Sequence, residues 1–138
     1  MINEFKSEHR FLSNFWPAVV TLDDMEFPTV EHAYVAAKTL DLEKRAEIQK
    51  VSTAGQVKRL GRSIELRPDW DDVKLEVMED LVRQKFQHPE LAELLIATGD
   101  QELVEGNTWG DTFWGVCFDV GENHLGLILM KVRDELVR

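Results

Sequence analysis

The sequence predicts an α+β fold, a compact helix-rich single domain over residues 1–138 with a small antiparallel sheet. Three observations carry that reading. Apolar residues recur every three or four positions in several separate segments, the pattern of helices with one buried face. Residues 18–27 instead read as two short strands around Asp23-Asp24, a hairpin signal. With 138 residues, 43% of them hydrophobic, the chain is long enough to bury a proper core.

Residues 2–5 are short and partly alternating, a candidate first strand. Residues 8–17 read as a loop with an apolar underside of Phe11, Leu12, Phe15 and Trp16. Residues 18–22 and 25–27 are the arms of the hairpin. A central helix over about residues 29–40 follows, because Pro28 cannot continue a preceding helix and the Thr29 hydroxyl can cap exposed amides. Val30, Ala33, Tyr34 and Ala37 form its buried face. Asp41 starts a second helix with Leu42, Arg45, Ile48 and Gln49 in phase. Ser52 or Thr53 caps a third, which runs through Val57 and Leu60 to a stop at Gly61. Pro68 and Asp69 introduce the longest helix, residues 70–86, with Val73, Val77, Leu81 and Val82 facing inward. His88-Pro89 ends it, and Leu91, Leu94 and Leu95 open another that closes near Thr98-Gly99.

Residues 102–126 differ in character, with Gly106, Gly110, Gly115, Gly121 and Gly126 interleaved with Trp109, Phe113, Trp114 and Phe118. Such a composition suits a loop wrapped around a planar ligand, and equally a buried hairpin with a packed edge. Leu125, Leu129, Val132 and Leu136 then mark a last helix. No repeat, linker or low-complexity tract interrupts the chain.

The net charge of −10 argues against a general nucleic-acid coat protein. The balance is uneven, because between Lys44 and Arg67 seven cations face only Glu47 and Glu65, a local +5. That segment is either a phosphate site or the solvated face of two helices. Cys117 is the only cysteine, which excludes an internal disulfide framework and a thiolate metal cluster. No apolar run approaches membrane-spanning length, and residues 1–5 lack the character of a signal peptide, so the expectation is a cytoplasmic protein with no membrane partner. There is no Walker loop, dinucleotide fingerprint or zinc signature, and His9, His32, His88 and His124 stand singly. Nothing calls for a metal or a redox cofactor.

Glu31, Tyr34 and Lys38 share one stripe of the central helix, placing a carboxylate, a phenol and an amine side by side. A glutamate in a first turn also stabilises the helix dipole without doing chemistry. Together with Glu105, Asp111, Trp70 and Trp114 they form a set suited to cleaving a glycosidic bond. A carboxylate stabilises the oxocarbenium-like transition state while water attacks. A tryptophan face would hold the departing base, and the basic segment a phosphate.

The phrases Phe-Leu-Ser-Asn-Phe at 11–15, Pro-Thr-Val-Glu-His-Ala-Tyr at 28–34 with Lys38, and Leu-Gly-Arg at 60–62 carry a family resemblance. So do Trp70 with Val-Met at 77–78, Lys-Phe at 85–86, Leu-Leu-Ile-Ala-Thr-Gly at 94–99, Leu-Val-Glu at 103–105 and Asp-Thr-Phe-Trp-Gly at 111–115. Asn-His-Leu-Gly-Leu-Ile-Leu-Met at 123–130 completes a set that, in order and spacing, resembles the YbiA-like, or NADAR, family over nearly the whole chain.

The resemblance implies a YbiA-like fold and N-glycosidase activity without a cofactor. It implies one of two substrate groups, the phosphoribosylamino-pyrimidine intermediates of riboflavin synthesis or ADP-ribose attached to guanine in nucleic acid. In both, ribose is bonded to an exocyclic amine. Glu31 would activate water or assist at the ring oxygen, and Lys38 would attack a ring-opened imine, bind phosphate or tune Glu31. Asp111 would assist the leaving group or position ribose. Trp70 and Trp114 are stacking platforms or core residues. Asn14, Phe15, His32, Tyr34, Arg62, Glu105, Gly115 and Asn123 complete the substrate contacts that the resemblance implies. The chain departs from the family at residues 116–122, Val-Cys-Phe-Asp-Val-Gly-Glu, where many relatives carry an acid and a run of glycines. Asp119 is a candidate replacement for that acid. Between the substrate groups the reading leans slightly toward ADP-ribosylated guanine, with a genomically paired ADP-ribosyltransferase toxin as its corollary. The rival from another class is a non-catalytic ADP-ribose or nucleotide-binding module.

Overall fold

The computed structural model describes residues 1–138 and is α+β, with six α-helices, one 3-10 helix and two small two-stranded sheets. The chain forms two compact units, Asn14–Lys85 and the pair Met1–Ser13 with Phe86–Arg138.

In Asn14–Lys85, strands β1 (Pro17–Leu22) and β2 (Met25–Thr29) form the expected antiparallel hairpin, with Val20 opposite Phe27. Asp23 and Asp24 both take positive φ, the turn geometry whose twist matches that of paired strands. Thr29 ends β2 and caps helix α1 (Val30–Ala37), its hydroxyl accepting from the His32 amide at 3.0 Å. Every residue of α1 except Glu31 is buried. The sequence is apolar nearly all round this helix, and β1, β2 and three other helices pack against it.

Helix α2 (Leu42–Gln49) starts at Asp41, whose carboxylate accepts from the Glu43 and Lys44 amides. Leu42 does not join its inner face and is 66% exposed, whereas Arg45 is buried. The Arg45 guanidinium donates to the Ala36 and Thr39 carbonyls, at 3.1 and 2.9 Å, and to Asp23 at 2.7 Å. It thereby adds a charged donor to carbonyls at the end of α1, where the helix dipole favours a cation. Helix α3 (Ala54–Gly61) is entered through a reciprocal capping box of Thr53 and Gln56. Gly61 is not a left-handed stop. A β-carbon there would lie 3.0 Å from Val35 Cγ2 and 3.4 Å from Lys38 Nζ, so its role is room for α1. Helix α4 (Trp70–Lys85) buries Trp70, Met78, Leu81, Val82 and Lys85, while Val73 and Val77 are only half-buried, so the inner stripe is rotated from the expected one.

In the second unit the expected first strand shrinks to a single bridge between Ile2 and Leu103. The expected loop is instead a 3-10 helix, Ser7–Leu12, that buries Phe11 and Leu12. Helix α5 (Pro89–Ala97) buries Leu91 and Leu95 but leaves Leu94 at the surface. Residues 102–126 hold only two-residue strands, β3 (Gly106–Asn107) and β4 (Val116–Cys117), paired parallel. Helix α6 (His124–Leu136) buries Leu125, Leu129 and Val132 as its spacing predicts. No helix is long and apolar enough to cross a membrane.

Candidate functional site

The stripe of α1 that carries Glu31, Tyr34 and Lys38 is the centre of the first group. Glu31 is half-buried, and its amide donates to the Asn14 carbonyl at 3.1 Å. The Asn14 side chain donates to Met78 Sδ at 3.5 Å, while its Oδ1 is buried and accepts no hydrogen bond. An amide oxygen in that position is an acceptor held ready for a donor that the protein itself does not supply.

Lys38 follows the last turn of α1. Its Nζ lies 5.6 Å from the centroid of the Tyr34 ring and donates to the Gly61 carbonyl at 3.5 Å. Burial pushes the Lys38 ammonium below the ordinary lysine range; the Glu31 carboxylate opposes that shift and the Lys74 ammonium adds to it. The Tyr34 ring packs on Trp70 with centroids 5.2 Å apart. Trp70 is buried, so it acts here as the wall behind Tyr34 rather than as an open stacking plane. Lys74 went unnoticed in the sequence, although it sits one turn beyond Trp70 and one turn before Met78, both quoted family positions.

His32, expected among the substrate contacts, has both ring nitrogens engaged within the protein. It is buried, its Nδ1 lies 2.7 Å from the Thr29 hydroxyl, and its Nε2 lies 2.9 Å from the Val51 carbonyl. A carbonyl can only accept, so Nε2 carries the proton and Nδ1 accepts from Thr29. Nε2 thus ties the start of α1 to the segment before α3, and Nδ1 ties the ring to the cap residue of its own helix. Phe15 is at the surface, 41% exposed, with Lys58 Nζ 5.9 Å from its ring centroid. Arg62, after the last turn of α3, is exposed.

The basic segment is less available than its charge suggests. Arg45 is buried in its structural bonds, Arg67 holds Asp69 through two hydrogen bonds, and Lys44 pairs with Glu47. Lys44 and Arg67 also line an open cleft of about 470 Å³ together with Leu40 and Leu66, with Asp41 and Glu65 balancing their charge. Lys50, Arg59 and Arg62 are the exposed cations left to meet a phosphate.

The remaining candidates belong to the other unit and form a self-bonded loop. Asp111 Oδ1 accepts from the Phe113 and Trp114 amides, at 3.2 and 2.9 Å. Asn107 brackets the same residue, its Oδ1 accepting from the Asp111 amide at 3.1 Å and its Nδ2 donating to the Asp111 carbonyl at 2.9 Å. Asn123, in left-handed backbone conformation, accepts from the Glu105 amide and donates to the Leu103 carbonyl, each at 3.0 Å. Asn123 therefore braces residues 103–105. Gly115 is buried, and a β-carbon there would stand 2.2 Å from the Glu105 carbonyl oxygen. Trp114 is half-buried and meets Phe113 edge-on at 4.8 Å. In the atypical turn that follows, Cys117 and Val120 exchange backbone hydrogen bonds and Phe118 projects outward, 77% exposed.

The model of the NADAR domain family matches residues 2–137. A protein of Escherichia coli strain K12 named N-glycosidase YbiA is 43% identical over 130 residues, covering 90% of this chain and 79% of that protein. A riboflavin biosynthesis protein of Vibrio vulnificus is 43% identical over 132 residues, 93% of this chain but 36% of that protein, so the chain spans about a third of that relative's length. An N-glycosidase of Nostoc punctiforme is 40% identical over 131 residues, 90% of this chain and 83% of its own. The solution NMR structure of the E. coli protein YbiA superposes with a TM-score of 0.84 at 40% identity, covering 99% of this chain and 85% of that one. A family match from residue 2 to residue 137, joined to a shared α+β fold, shows that the chain belongs to the NADAR domain family.

Proposed function

We propose that this chain is an N-glycosidase that cleaves the bond between ribose and an exocyclic amine, with Glu31 and Lys38 as the reacting groups. The observation that carries the reading is a lysine held partly out of water against an aromatic ring, on the same helix stripe as a carboxylate. An amine kept below its usual basicity is a nucleophile, and a carboxylate beside it can move protons. A module that only binds a nucleotide has no use for such an amine.

The reaction balances without a cofactor. A ribosylamine opens to an imine at the former anomeric carbon. The neutral Lys38 amine adds to that carbon, forming a nitrogen–carbon bond, and two protons pass in turn from the Lys38 nitrogen to the departing nitrogen, one as the aminal forms and one as it collapses, with Glu31 as carrier. The bond to the exocyclic nitrogen then breaks, releasing the base as a neutral amine and leaving ribose as an imine on Lys38. Water hydrolyses that imine, returning the Lys38 amine and giving the sugar aldehyde. Asn14 Oδ1, buried and without a donor, is placed to accept from a substrate hydroxyl or amine.

For the substrate we infer a small phosphorylated ribosylamino-pyrimidine. Residues 86–130 contain eight carboxylates and no lysine or arginine. A polynucleotide backbone presents a charge at every phosphate and calls for an extended basic surface that a chain of net charge −10 does not favour, whereas one phosphate needs only a few exposed cations such as Lys50, Arg59 and Arg62. A relative named as a riboflavin biosynthesis protein supports the same choice over the slight lean of the sequence toward ADP-ribosylated guanine.

The test is turnover of a phosphoribosylamino-pyrimidine and of an oligonucleotide bearing ADP-ribosylated guanine by wild type, Glu31→Gln and Lys38→Ala. Cleavage of the pyrimidine alone, lost in both variants, with a borohydride-trapped adduct on Lys38, is expected. Cleavage of the oligonucleotide alone would reverse the substrate assignment, and tight ADP-ribose binding without cleavage of either would replace the enzyme with a reader.

A further inference from the structure

Helix α4 carries Trp70, Lys74 and Met78 four residues apart, on one stripe. The two flanking residues locate that stripe. Trp70 packs on Tyr34 at 5.2 Å, and Met78 takes the Asn14 side chain at 3.5 Å, next to the carbonyl that holds the Glu31 amide. Lys74 lies between these contacts and therefore faces the part of α1 that presents Glu31 and Lys38. Its side chain is only 23% exposed, and its Nζ meets Asp71 Oδ1 at 3.3 Å, while Asp71 itself is 90% exposed. An ion pair with one partner in open water is well screened, so Asp71 binds the Lys74 ammonium only weakly.

Resting on the Schiff-base reading above, we propose that Lys74 is a positioning residue of this site: its ammonium, carried beside Lys38 by the Trp70–Lys74–Met78 stripe, offsets the Glu31 carboxylate and holds the Lys38 amine ready to attack. Glu31 by itself would favour protonated Lys38 and so silence the nucleophile it is meant to serve. A second cation in range of both resolves that conflict, in line with the direction in which Lys74 moves Lys38.

Other charges on elements around α1 are paired elsewhere or exposed to solvent. On α2, Lys44 pairs with Glu47 and Arg45 with Asp23. Beyond α3, Arg67, whose amide meets the Lys38 carbonyl, has its guanidinium on Asp69. On α3 itself Lys58 lies by the Phe15 ring, and Arg59 and Arg62 are exposed, as are Asp24 and Glu26 at the hairpin. On α4, Glu79 pairs with Arg83.

The experiment reads Lys38 directly. Wild type, Lys74→Met, Lys74→Gln and Lys74→Arg are labelled briefly with acetic anhydride across a pH series, and acetylation of the Lys38 peptide is quantified by mass spectrometry, with circular dichroism as the check on folding. Lys74→Met and Lys74→Gln should move the labelling midpoint of Lys38 to higher pH and cut its labelling at pH 7 by about threefold to tenfold, since a pKa higher by one leaves a tenfold smaller amine fraction. Lys74→Arg should restore the wild-type curve. Where substrate turns over, the acid limb of kcat should move with the label. An unchanged midpoint in folded Lys74→Met and Lys74→Gln overturns the proposal, and so does a raised KM with an unmoved pH profile, which would make Lys74 a substrate anchor instead. Labelling needs no substrate, so this outcome stands apart from failure of the glycosidase reading, which the turnover and borohydride experiments decide.

Discussion

The stripe on α1 and the loop around Asp111 use polar residues in opposite ways. Along α1 the helix satisfies most of its own amides and carbonyls, and Thr29 and Arg45 finish its two ends. Glu31 and Lys38 are not needed for that work, so burial and neighbouring charge can tune them. Around Asp111 there is almost no ladder, only two-residue strands, and every enclosed amide must find a partner. Asn107, Asp111 and Asn123 supply those partners. A regular element leaves side chains available for chemistry, whereas an irregular one recruits them to hold its backbone.

That contrast can be broken experimentally. The largest effect belongs to Glu31→Gln, expected to lower kcat about a thousandfold, roughly 4 kcal/mol of barrier, in single-turnover assays with little change in the urea midpoint. A large loss of stability in Glu31→Gln would erase the distinction between the two regions. Next comes Gly115→Ala, whose new methyl would meet the Glu105 carbonyl oxygen at 2.2 Å; urea unfolding should show a loss of about 3 kcal/mol. Asn123→Gly keeps the left-handed backbone but removes both side-chain bonds, and should lower stability by about 2 kcal/mol. If Asn123→Gly instead abolished turnover in a fully stable protein, Asn123 would count as a substrate contact.

The most gradual effect, a slope with pH rather than a single step, concerns Lys85, in the last turn of α4. Burial pushes its ammonium down from 10.5 to about 7. Between those values the unfolded chain holds a proton that the folded chain has released, so stability rises with pH from about 7 to about 10.5. One proton gives a slope of at most about 1.4 kcal/mol per pH unit. Lys85→Met should flatten that rise in chemical-denaturation midpoints, and a rise of equal steepness in the variant would show that other groups cause it.

Much of this architecture is written locally. Thr29, Asp41 and Thr53 stand where helices begin because their oxygens accept from amides two or three residues on, a relation short enough to read in a line of sequence. The hairpin at Asp23-Asp24 and the break at His88-Pro89 are equally local. Spacing also placed Glu31, Tyr34 and Lys38 on one stripe. What the sequence did not show lies in contacts with another segment. Gly61 ends α3 as expected, but its lack of a side chain makes room for Val35 and Lys38, and His32 is tied to Val51. Leu42 kept helical phase yet faces water, while Arg45, a charge that sequence would put outside, is buried because Asp23 and two carbonyls receive it.

By itself, then, the sequence determined the helix-rich α+β class, the helix starts, the family and the shared stripe of Glu31, Tyr34 and Lys38, because each rests on short spacing or on an ordered series of motifs. Only the tertiary structure decided which charges have partners and which polar groups brace the backbone. It alone brought Lys74 within electrostatic reach of Lys38, since desolvation and Coulomb forces depend on distance in space and not on separation along the chain.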